Sequence, residues 1–195
     1  MPAPRTLPTA AEMKGPAGDT NWVIPGKLLV GAAPVTEQMA GRISRAGVDV
    51  FVSLLDGYDY QHRFGAREYS AVAKQAGVVL VKFPIVDGSV TTDRRAFHLA
   101  RKLYAVLRSG VNVYLHCWGG HGRAGTIAAM LIGLWYRVDL QTALRFVKRS
   151  HNTRGYGGGA RSAYKTPQTQ EQVRQVARFF ARIDDHRRRA LAEAQ

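Results

Sequence analysis

Three short apolar runs along the chain are typical of buried strands. They cover residues 48–55, 78–85 and 111–115, and each is rich in β-branched side chains and nearly continuous. Strands that are covered on both faces, as in a parallel sheet, show this pattern. Two further apolar stretches flank Pro25-Gly26 within residues 23–30, and they predict a hairpin or two short strands.

Between these runs, apolar positions recur at helical spacing. Thr36 is predicted to cap a helix that ends near residue 46, and Asp93 to begin an amphipathic helix that Gly110 ends. Further helices are predicted over residues 67–76 and 139–150, and from 168 to the end of the chain. A strongly apolar helix that includes Ile127 is predicted to end at residue 137. Alternating strands and helices predict an α/β fold: a central, mostly parallel, twisted sheet flanked by helices.

The composition changes at the N-terminus and near residue 150. Residues 1–20 hold several prolines and few large apolar side chains, which predicts a flexible leader. Residues 21–195 are predicted to form a single domain, because their number suits one compact unit. Residues 151–166 are basic and glycine-rich and predict a solvated loop, with the alternative that Arg154, Arg161 and Lys165 grip an acidic substrate.

The charge and the cysteine content narrow the possible partners. A net charge of +14 implies anionic partners, namely nucleic acid, an acidic membrane surface or phosphorylated substrates, unless it merely reflects a GC-rich genome. No apolar run approaches the ~20 residues of a membrane-spanning helix, so no membrane insertion is expected. The aromatic and basic interleaving of a single-strand binder is missing, so nucleic acid is not the expected partner. The single cysteine excludes an internal disulfide and fits a reducing, cytoplasmic setting.

The segment after the third strand carries the candidate chemistry. It reads His116-Cys117-Trp118-Gly119-Gly120-His121-Gly122-Arg123-Ala124-Gly125. Its glycines let the backbone curl so that several amides point inward, and the next helix adds its N-terminal amides and positive dipole end. The segment therefore predicts an anion cradle of phosphate size, with Cys117 at its floor and Arg123 gripping two phosphate oxygens.

A thiolate beneath a bound phosphate is placed for in-line attack on phosphorus. The product is a cysteinyl-phosphate intermediate, and neither a metal nor another cofactor is expected, because the cradle neutralises the transition-state charge. The leaving oxygen needs a proton. Asp87 is the predicted acid, since it follows the strand at 78–85; Asp56 follows another strand and is the rival, while Asp93 has the position of a helix cap.

This segment resembles the signature of the cysteine-dependent protein tyrosine phosphatase superfamily, His-Cys-x5-Arg followed by Ser or Thr and Gly. The resemblance extends over residues 22–180, is closest to compact dual-specificity-like members, and implies their phosphatase P-loop between a strand and a helix. It implies Cys117 as nucleophile, Arg123 as phosphate ligand, Asp87 as general acid, His116 as a residue that holds the thiolate, and Gln168 as the residue that positions the hydrolytic water. The P-loop residues that it implies for phosphate binding are Trp118, Gly119, Gly120, His121, Gly122 and Arg123.

One departure and the loop composition refine this expectation. Ala124 stands where the family has a Ser or Thr that helps the cysteine leave, so we expect a slowed second step. The loop lacks lysines typical of phosphoinositide-directed relatives, and among its variable positions only His121 can add charge. Expected substrates are phosphorylated proteins, phosphotyrosine above all, or small phosphomonoesters. Two alternatives stay open: a rhodanese-type sulfurtransferase, and a non-catalytic module that binds phosphate or nucleic acid.

Overall fold

The structure, a computed structural model, describes residues 6–63, 69–155 and 165–193. Five strands and seven helices occur within these ranges. In chain order they are β1 (Thr20–Ile24), β2 (Leu28–Gly31), α1 (Glu37–Arg45), β3 (Val50–Ser53), α2 (Gly57–Arg63), α3 (Tyr69–Gln75), β4 (Val79–Lys82), α4 (Asp93–Arg108), β5 (Val113–His116), α5 (Arg123–Tyr136), α6 (Leu140–His151) and α7 (Gln170–Ala192).

The strands form one sheet in the order β1-β2-β5-β3-β4. All neighbouring strands are parallel except the β1–β2 hairpin, so the predicted α/β fold with a mostly parallel sheet is confirmed. β5 lies in the middle, where His116 pairs with Gly31 of β2 on one side and with Ser53 of β3 on the other. The chain that leaves β5 therefore emerges at the centre of the carboxyl edge, where ligands bind in such sheets.

Helices cover both faces of the sheet. α5 is apolar on every side and buried along most of its length, because α4, α6 and α7 surround it on one face. The smaller core on the other face comes from α1 and α3, with Ile43 and Val72 packed against Phe51 and Tyr114 of the sheet. None of the helices in the described ranges has the length and apolar character to cross a bilayer.

The cap predicted at Thr36 is confirmed, and Asp139 and Thr169 cap the helices predicted to start at 139 and near 168. The side chains of Thr36, Asp139 and Thr169 each accept a backbone hydrogen bond from the first turn of α1, α6 and α7. The predicted start of α4 at Asp93 is confirmed, but its cap is Thr92, whose Oγ1 accepts from the amide of Arg95 at 3.3 Å. Asp93 is the first residue of that helix.

Two other expectations differ from the structure, and one helix, α2, was not predicted. β4 is an edge strand with largely exposed side chains instead of a buried one; Val79 is 62% exposed, because no strand covers its outer side. The polar segment after β3 forms α2. Met13, in the segment predicted as a flexible leader, is fully buried, and its carbonyl accepts from the amide of Trp22 at 2.8 Å. The leader therefore contributes to the core from Met13 onward.

Candidate active site

The central strand β5 places Cys117 directly beyond its last residue. Cys117 is 3% exposed, and α5 begins six residues later at Arg123. We call residues 117–123 the cysteine loop. It lies between the ends of β2 and β3, as the strand–loop–helix order of the sequence predicts.

Groups outside the cysteine loop hold its backbone carbonyls. The donors are His116 Nδ1 to Cys117 (3.3 Å), the amide of Ala33 to Trp118 (2.9 Å), Arg154 to Gly119 and Gly120 (3.1 and 2.9 Å), Thr166 Oγ1 to His121 (2.8 Å) and Thr126 Oγ1 to Gly122 (2.8 Å). A peptide group directs its N–H roughly opposite to its carbonyl. With the carbonyls held outward, the loop amides face the concave side, which is the arrangement of an anion-binding nest.

Close packing requires glycine at one position of this loop and leaves little room at a second. Gly120 has a φ of +72°, and a Cβ there would lie 2.2 Å from the carbonyl oxygen of Gly31. A Cβ on Gly122 would lie 2.6 Å from Oε1 of Gln168. The first position is closed by backbone and the second by a side chain, so the predicted glycine curl has a steric cause.

Arg154 supports the loop from behind and does not face a substrate. It is 1% exposed, its Nε donates to Asn21 Oδ1 at 2.7 Å, and its Nη atoms donate to the carbonyls of Gly119 and Gly120. The alternative that Arg154 grips an acidic substrate is therefore wrong, because its guanidinium is enclosed. Arg161 lies outside the described residues, and Lys165 is exposed. No local pattern distinguishes Arg154 from the other arginines nearby, so the sequence did not reveal this contact.

Arg123 is buried, and hydrogen bonds hold only the Nη1 side of its guanidinium. Nη1 donates to Asp59 Oδ2 at 2.5 Å and to the carbonyl of Ile85 at 3.0 Å. Nε and Nη2 donate no hydrogen bond to any described residue, although Nη2 forms an ion pair with Asp87 Oδ1 at 2.8 Å. Burial lowers the pKa of Arg123, but the Asp59 hydrogen bond and the charges of Cys117, Asp59 and Asp87 together raise it above its ordinary value. The Nε–Nη2 edge matches two oxygens of a phosphate.

Asp59 holds this arginine and was missed by the sequence analysis. It is fully buried in the first turn of α2 and also forms an ion pair with Arg63 Nε at 3.3 Å. Aspartates are common near helix starts, so the sequence does not distinguish Asp59 from a capping residue. Only the fold shows that Asp59 is the partner of Arg123. Asp56 is that capping residue, because its Oδ1 accepts from the amide of Asp59 at 2.9 Å.

Asp87 lies at the mouth of the cysteine loop. We call residues 83–92, which follow β4, the acid loop. The Asp87 side chain is 44% exposed and links two arginines, with Oδ1 2.8 Å from Arg123 Nη2 and Oδ2 3.0 Å from Arg63 Nη2. Asp93 is elsewhere, bonded to Arg178 at 2.7 Å; that hydrogen bond is the main cause that lowers the pKa of Asp93. Of the three aspartates weighed, Asp87 is paired directly with Arg123.

Comparison with known proteins identifies the family. The sequence profile of a Swiss Army Knife protein family, described as a DSP-PTPase phosphatase domain, matches residues 18–178. The chain belongs to the DSP-PTPase phosphatase family. It is 26% identical over 164 residues to Putative tyrosine phosphatase 067L of Invertebrate iridescent virus 3, covering 82% of this chain and 65% of that protein. It is 31% identical over 130 residues to protein 197R of Invertebrate iridescent virus 6, also named as a tyrosine phosphatase, covering 64% of this chain and 46% of that protein.

Solved structures of phosphatases share the fold. Tk-PTP in its active form superposes with a TM-score of 0.67 at 21% identity, covering 84% of this chain and 97% of that one. Human DUSP28 superposes with a TM-score of 0.61 at 15% identity, covering 88% of this chain and 98% of that one. The resemblance on the His-Cys-x5-Arg motif is thus confirmed at the level of family and fold.

In this phosphatase domain, His116 is a buried neutral residue. A carbonyl only accepts, so the contact of Nδ1 with Cys117 O makes Nδ1 the protonated nitrogen, and Nε2 accepts from the Tyr69 hydroxyl at 2.7 Å. Burial, aided by the charge of Arg123, lowers the pKa of His116 to about 3. Burial also raises the pKa of Tyr69 well above its ordinary value. The ring therefore holds the carbonyl of Cys117 without adding charge.

His121 and Trp118 form the outer part of the loop. His121 Nδ1 contacts His151 Nε2 at 2.6 Å, and burial, with the charge of Arg154, lowers the pKa of His121 to about 4. His121 is therefore neutral at neutral pH and adds charge to the loop only under more acidic conditions. Trp118 is half-buried, with the guanidinium of Arg63 5.1 Å from its ring centre.

Gln168 lies beside the cysteine loop at the start of α7. Its side chain is exposed and its Oε1 approaches Gly122, as the clash distance above shows. The backbone N–H of Gln168 donates to Oε1 of Gln172 at 2.9 Å, and Gln172 Nε2 donates to the carbonyl of Ser89 at 3.1 Å. Gln172 thus ties the start of α7 to the acid loop. Within the described ranges, no cluster of three or more metal-binding side chains occurs.

Proposed function

We propose that this protein hydrolyses phosphomonoesters in two steps through a phosphate ester of the Cys117 thiol. The observation that carries the proposal is the guanidinium of Arg123, the residue that ends the cysteine loop: Asp59 holds its Nη1, while its buried Nε and Nη2 donate no hydrogen bond to any described residue. Such a donor edge above a nucleophile, with loop amides around it, suits a tetrahedral dianion. Membership of the DSP-PTPase family supports the same chemistry.

In this proposal, binding of the phosphate frees Asp87 from its ion pair with Arg123. Asp87 Oδ1 occupies the neighbourhood of Arg123 Nη2 at 2.8 Å. A phosphate that takes both Nε and Nη2 displaces this carboxylate. Asp87 then keeps its contact with Arg63 and is carried by the acid loop to the ester oxygen.

The first step transfers the phosphoryl group to the enzyme. Sγ of Cys117, as the thiolate, attacks phosphorus in line; the P–S bond forms as the P–O bond to the leaving group breaks. Asp87, protonated, gives its proton to the leaving oxygen. The loop amides and Arg123 stabilise the charge on the three equatorial oxygens.

The second step releases phosphate. Water attacks phosphorus, the P–S bond breaks, and Asp87 takes the proton of that water. Gln168 holds the water, a role supported by the position of its Oε1 beside Gly122. His116 fixes the Cys117 carbonyl, and Trp118, Gly119, Gly120, His121 and Gly122 complete the phosphate cradle. Ala124 offers no hydroxyl to the departing sulfur, so this step is the slower one.

The substrate is proposed to be a phosphorylated protein, with phosphotyrosine the leading case, or a small phosphomonoester, handled in the cytoplasm. The neutral His121 supports this, because a loop without added cations does not select multiply phosphorylated headgroups. Residues 21–195 are proposed as one catalytic domain. The sulfurtransferase and binding-module alternatives are less well supported, because a candidate acid lies next to Arg123.

Turnover of para-nitrophenyl phosphate tests the proposal. Cys117→Ser should abolish turnover while vanadate still binds, and Asp87→Ala should slow turnover most for phosphate esters with poor leaving groups. Asp56→Ala is the matched control, because it removes a carboxylate at the end of a neighbouring strand. If Asp56→Ala has the larger effect, Asp87 is not the acid. Thiosulfate activity without phosphatase activity would instead favour the sulfurtransferase.

A further inference from the structure

A groove with an apolar floor and a basic rim lies between α4, α5 and α7. Its volume is about 650 Å³. Leu134, in the last turn of α5, lies on its floor, eleven residues and hence about 16 Å along the helix from Arg123. The groove is therefore separate from the cysteine loop. Other floor residues are Phe97, Tyr104 and Ile183, and the rim includes Arg101, Arg137, His186 and Arg187.

Three basic side chains converge on one aromatic ring of this floor. The guanidinium carbons of Arg182 and Arg101 lie 4.2 and 5.7 Å from the ring centre of Phe97, and the ring of His186 lies 5.9 Å from it. Stacking on an aromatic face occupies the flat side of a guanidinium and leaves its N–H edge available. Arg101 and His186 line the groove itself, whereas Arg182 lines a smaller pocket that adjoins it and shares the Phe97 ring. The groove is taken together with this adjoining pocket, and the two present donor edges around Phe97.

The acidic residues nearby are engaged with other arginines. Asp184 and Asp185 pair within α7 with Arg187 and Arg189, at 3.4 and 3.0 Å, and Asp93 pairs with Arg178. Across the ranges that the structure describes, no acidic side chain forms an ion pair with Arg101 or Arg182. Asp93 lies in the pocket that Arg182 lines, and the charge of Arg182 is one of the causes that lower the pKa of Asp93, but the ion pair of Asp93 is with Arg178.

We propose that this groove, the α4–α7 groove, binds an acidic amphipathic segment of a partner protein. An apolar side chain of the segment packs against Phe97 and Leu134, and flanking carboxylates accept paired hydrogen bonds from Arg101 and Arg182. Charge complementarity selects an anionic partner. Because the floor is concave, the side chains of a peptide can enter the groove. A flat bilayer surface would meet only the rim, so a peptide is the better fit. No residue of the cysteine loop takes part, so this proposal does not depend on the proposed function.

Fluorescence anisotropy with a labelled peptide tests the groove. The probe is a short peptide in which glutamates flank a leucine and a phenylalanine, titrated with the full chain. The charge reversal Arg101→Glu/Arg182→Glu should weaken binding about tenfold or more. Arg42→Glu/Arg45→Glu in α1 is the matched control, because it makes the same change of charge at exposed arginines elsewhere and should have a much smaller effect. Hydrolysis of para-nitrophenyl phosphate should be unchanged in the groove variant.

Three results would overturn the proposal. Equal weakening by the two double variants means that only overall charge attracts the peptide. Unchanged binding of a probe with serine in place of leucine and phenylalanine removes the role of the apolar floor. Binding to vesicles of phosphatidylserine that depends on Arg101 and Arg182, with no binding of the peptide, makes the groove a lipid site. Circular dichroism and the unfolding midpoint of each variant establish that the fold is intact.

Discussion

Arg154 is the residue whose removal should do most to disturb the cysteine loop without touching a bound phosphate. Its guanidinium holds the carbonyls of Gly119 and Gly120 outward and anchors them to Asn21 of β1. Arg154→Met keeps much of the side-chain volume but removes every donor. The two carbonyls are then free to turn inward, where they would oppose an anion.

The size of this effect follows from three hydrogen bonds by a charged donor. Such bonds contribute about 1.5–3 kcal/mol each, so together they set an upper bound of about 4.5–9 kcal/mol. Without Arg154, three neutral acceptors lose their donor, at about 1–3 kcal/mol for each that stays buried. Relaxation of the loop and entry of water place the expected loss in the free energy of unfolding at the lower end, about 3–5 kcal/mol. Because the carbonyls that are freed belong to the cradle, kcat/KM should also fall by about 100-fold, as when one donor of an oxyanion site is lost.

Urea unfolding and steady-state kinetics on the same preparation separate the two effects. Arg154→Met should show both losses, with vanadate affinity falling alongside kcat/KM, and Arg154→Lys should restore part of each. Arg149→Met, an exposed arginine of α6, is the matched control and should change neither. If Arg154→Met is destabilised but binds vanadate and turns over like the wild type, Arg154 stabilises the fold without shaping the cradle, and the reasoning is refuted.

Three further predictions concern Asp59, the buried histidines and Ala124. Asp59→Asn should lower kcat/KM by about 10–100-fold, because Arg123 loses a charge-assisted bond that orients it; turnover equal to that of wild type would contradict this. Burial lowers the pKa of His116 and His151 to about 3 and of His121 to about 4, below the ordinary 6.5. The unfolded chain then binds protons that the native state does not, so these histidines contribute most to the free energy of unfolding above pH 6.5. As the pH drops towards 4, this free energy falls by up to about 1.4 kcal/mol per pH unit for each of His116 and His151, and by less for the more exposed His121. Urea titrations that agree at pH 7 and pH 5 would refute this. Ala124→Ser should raise turnover and reduce the phosphoenzyme level in rapid-quench experiments, whereas no change in either would mean that this position does not limit the second step.

Local patterns predicted the elements that position the site. The β-branched run before His116 and the apolar helix after Arg123 fix the strand–loop–helix unit, and of the glycines between them close packing requires Gly120 and leaves little room at Gly122. These features depend on neighbours in sequence. The same holds for the cap at Thr36, which needs only the first turn of its own helix.

The partners that complete the site come from distant parts of the chain. Asp59 reaches Arg123 across 64 positions, and Arg154 reaches Gly120 across 34, so no local pattern marks either residue. Exposure of β4 depends on its place at the sheet edge, which an apolar run does not reveal. The lowered pKa of His121 depends on burial and on Arg154, and both follow from the packing of α6.

The central claim is that Cys117 carries the phosphoryl group during turnover. Acid quenching of the enzyme during hydrolysis of para-nitrophenyl phosphate, followed by peptide mass spectrometry, identifies the residue that is modified. We expect one phosphate on the peptide that contains Cys117, and neither phosphate nor turnover in Cys117→Ser. Phosphate on any other residue, or turnover that persists in Cys117→Ser, would contradict the account.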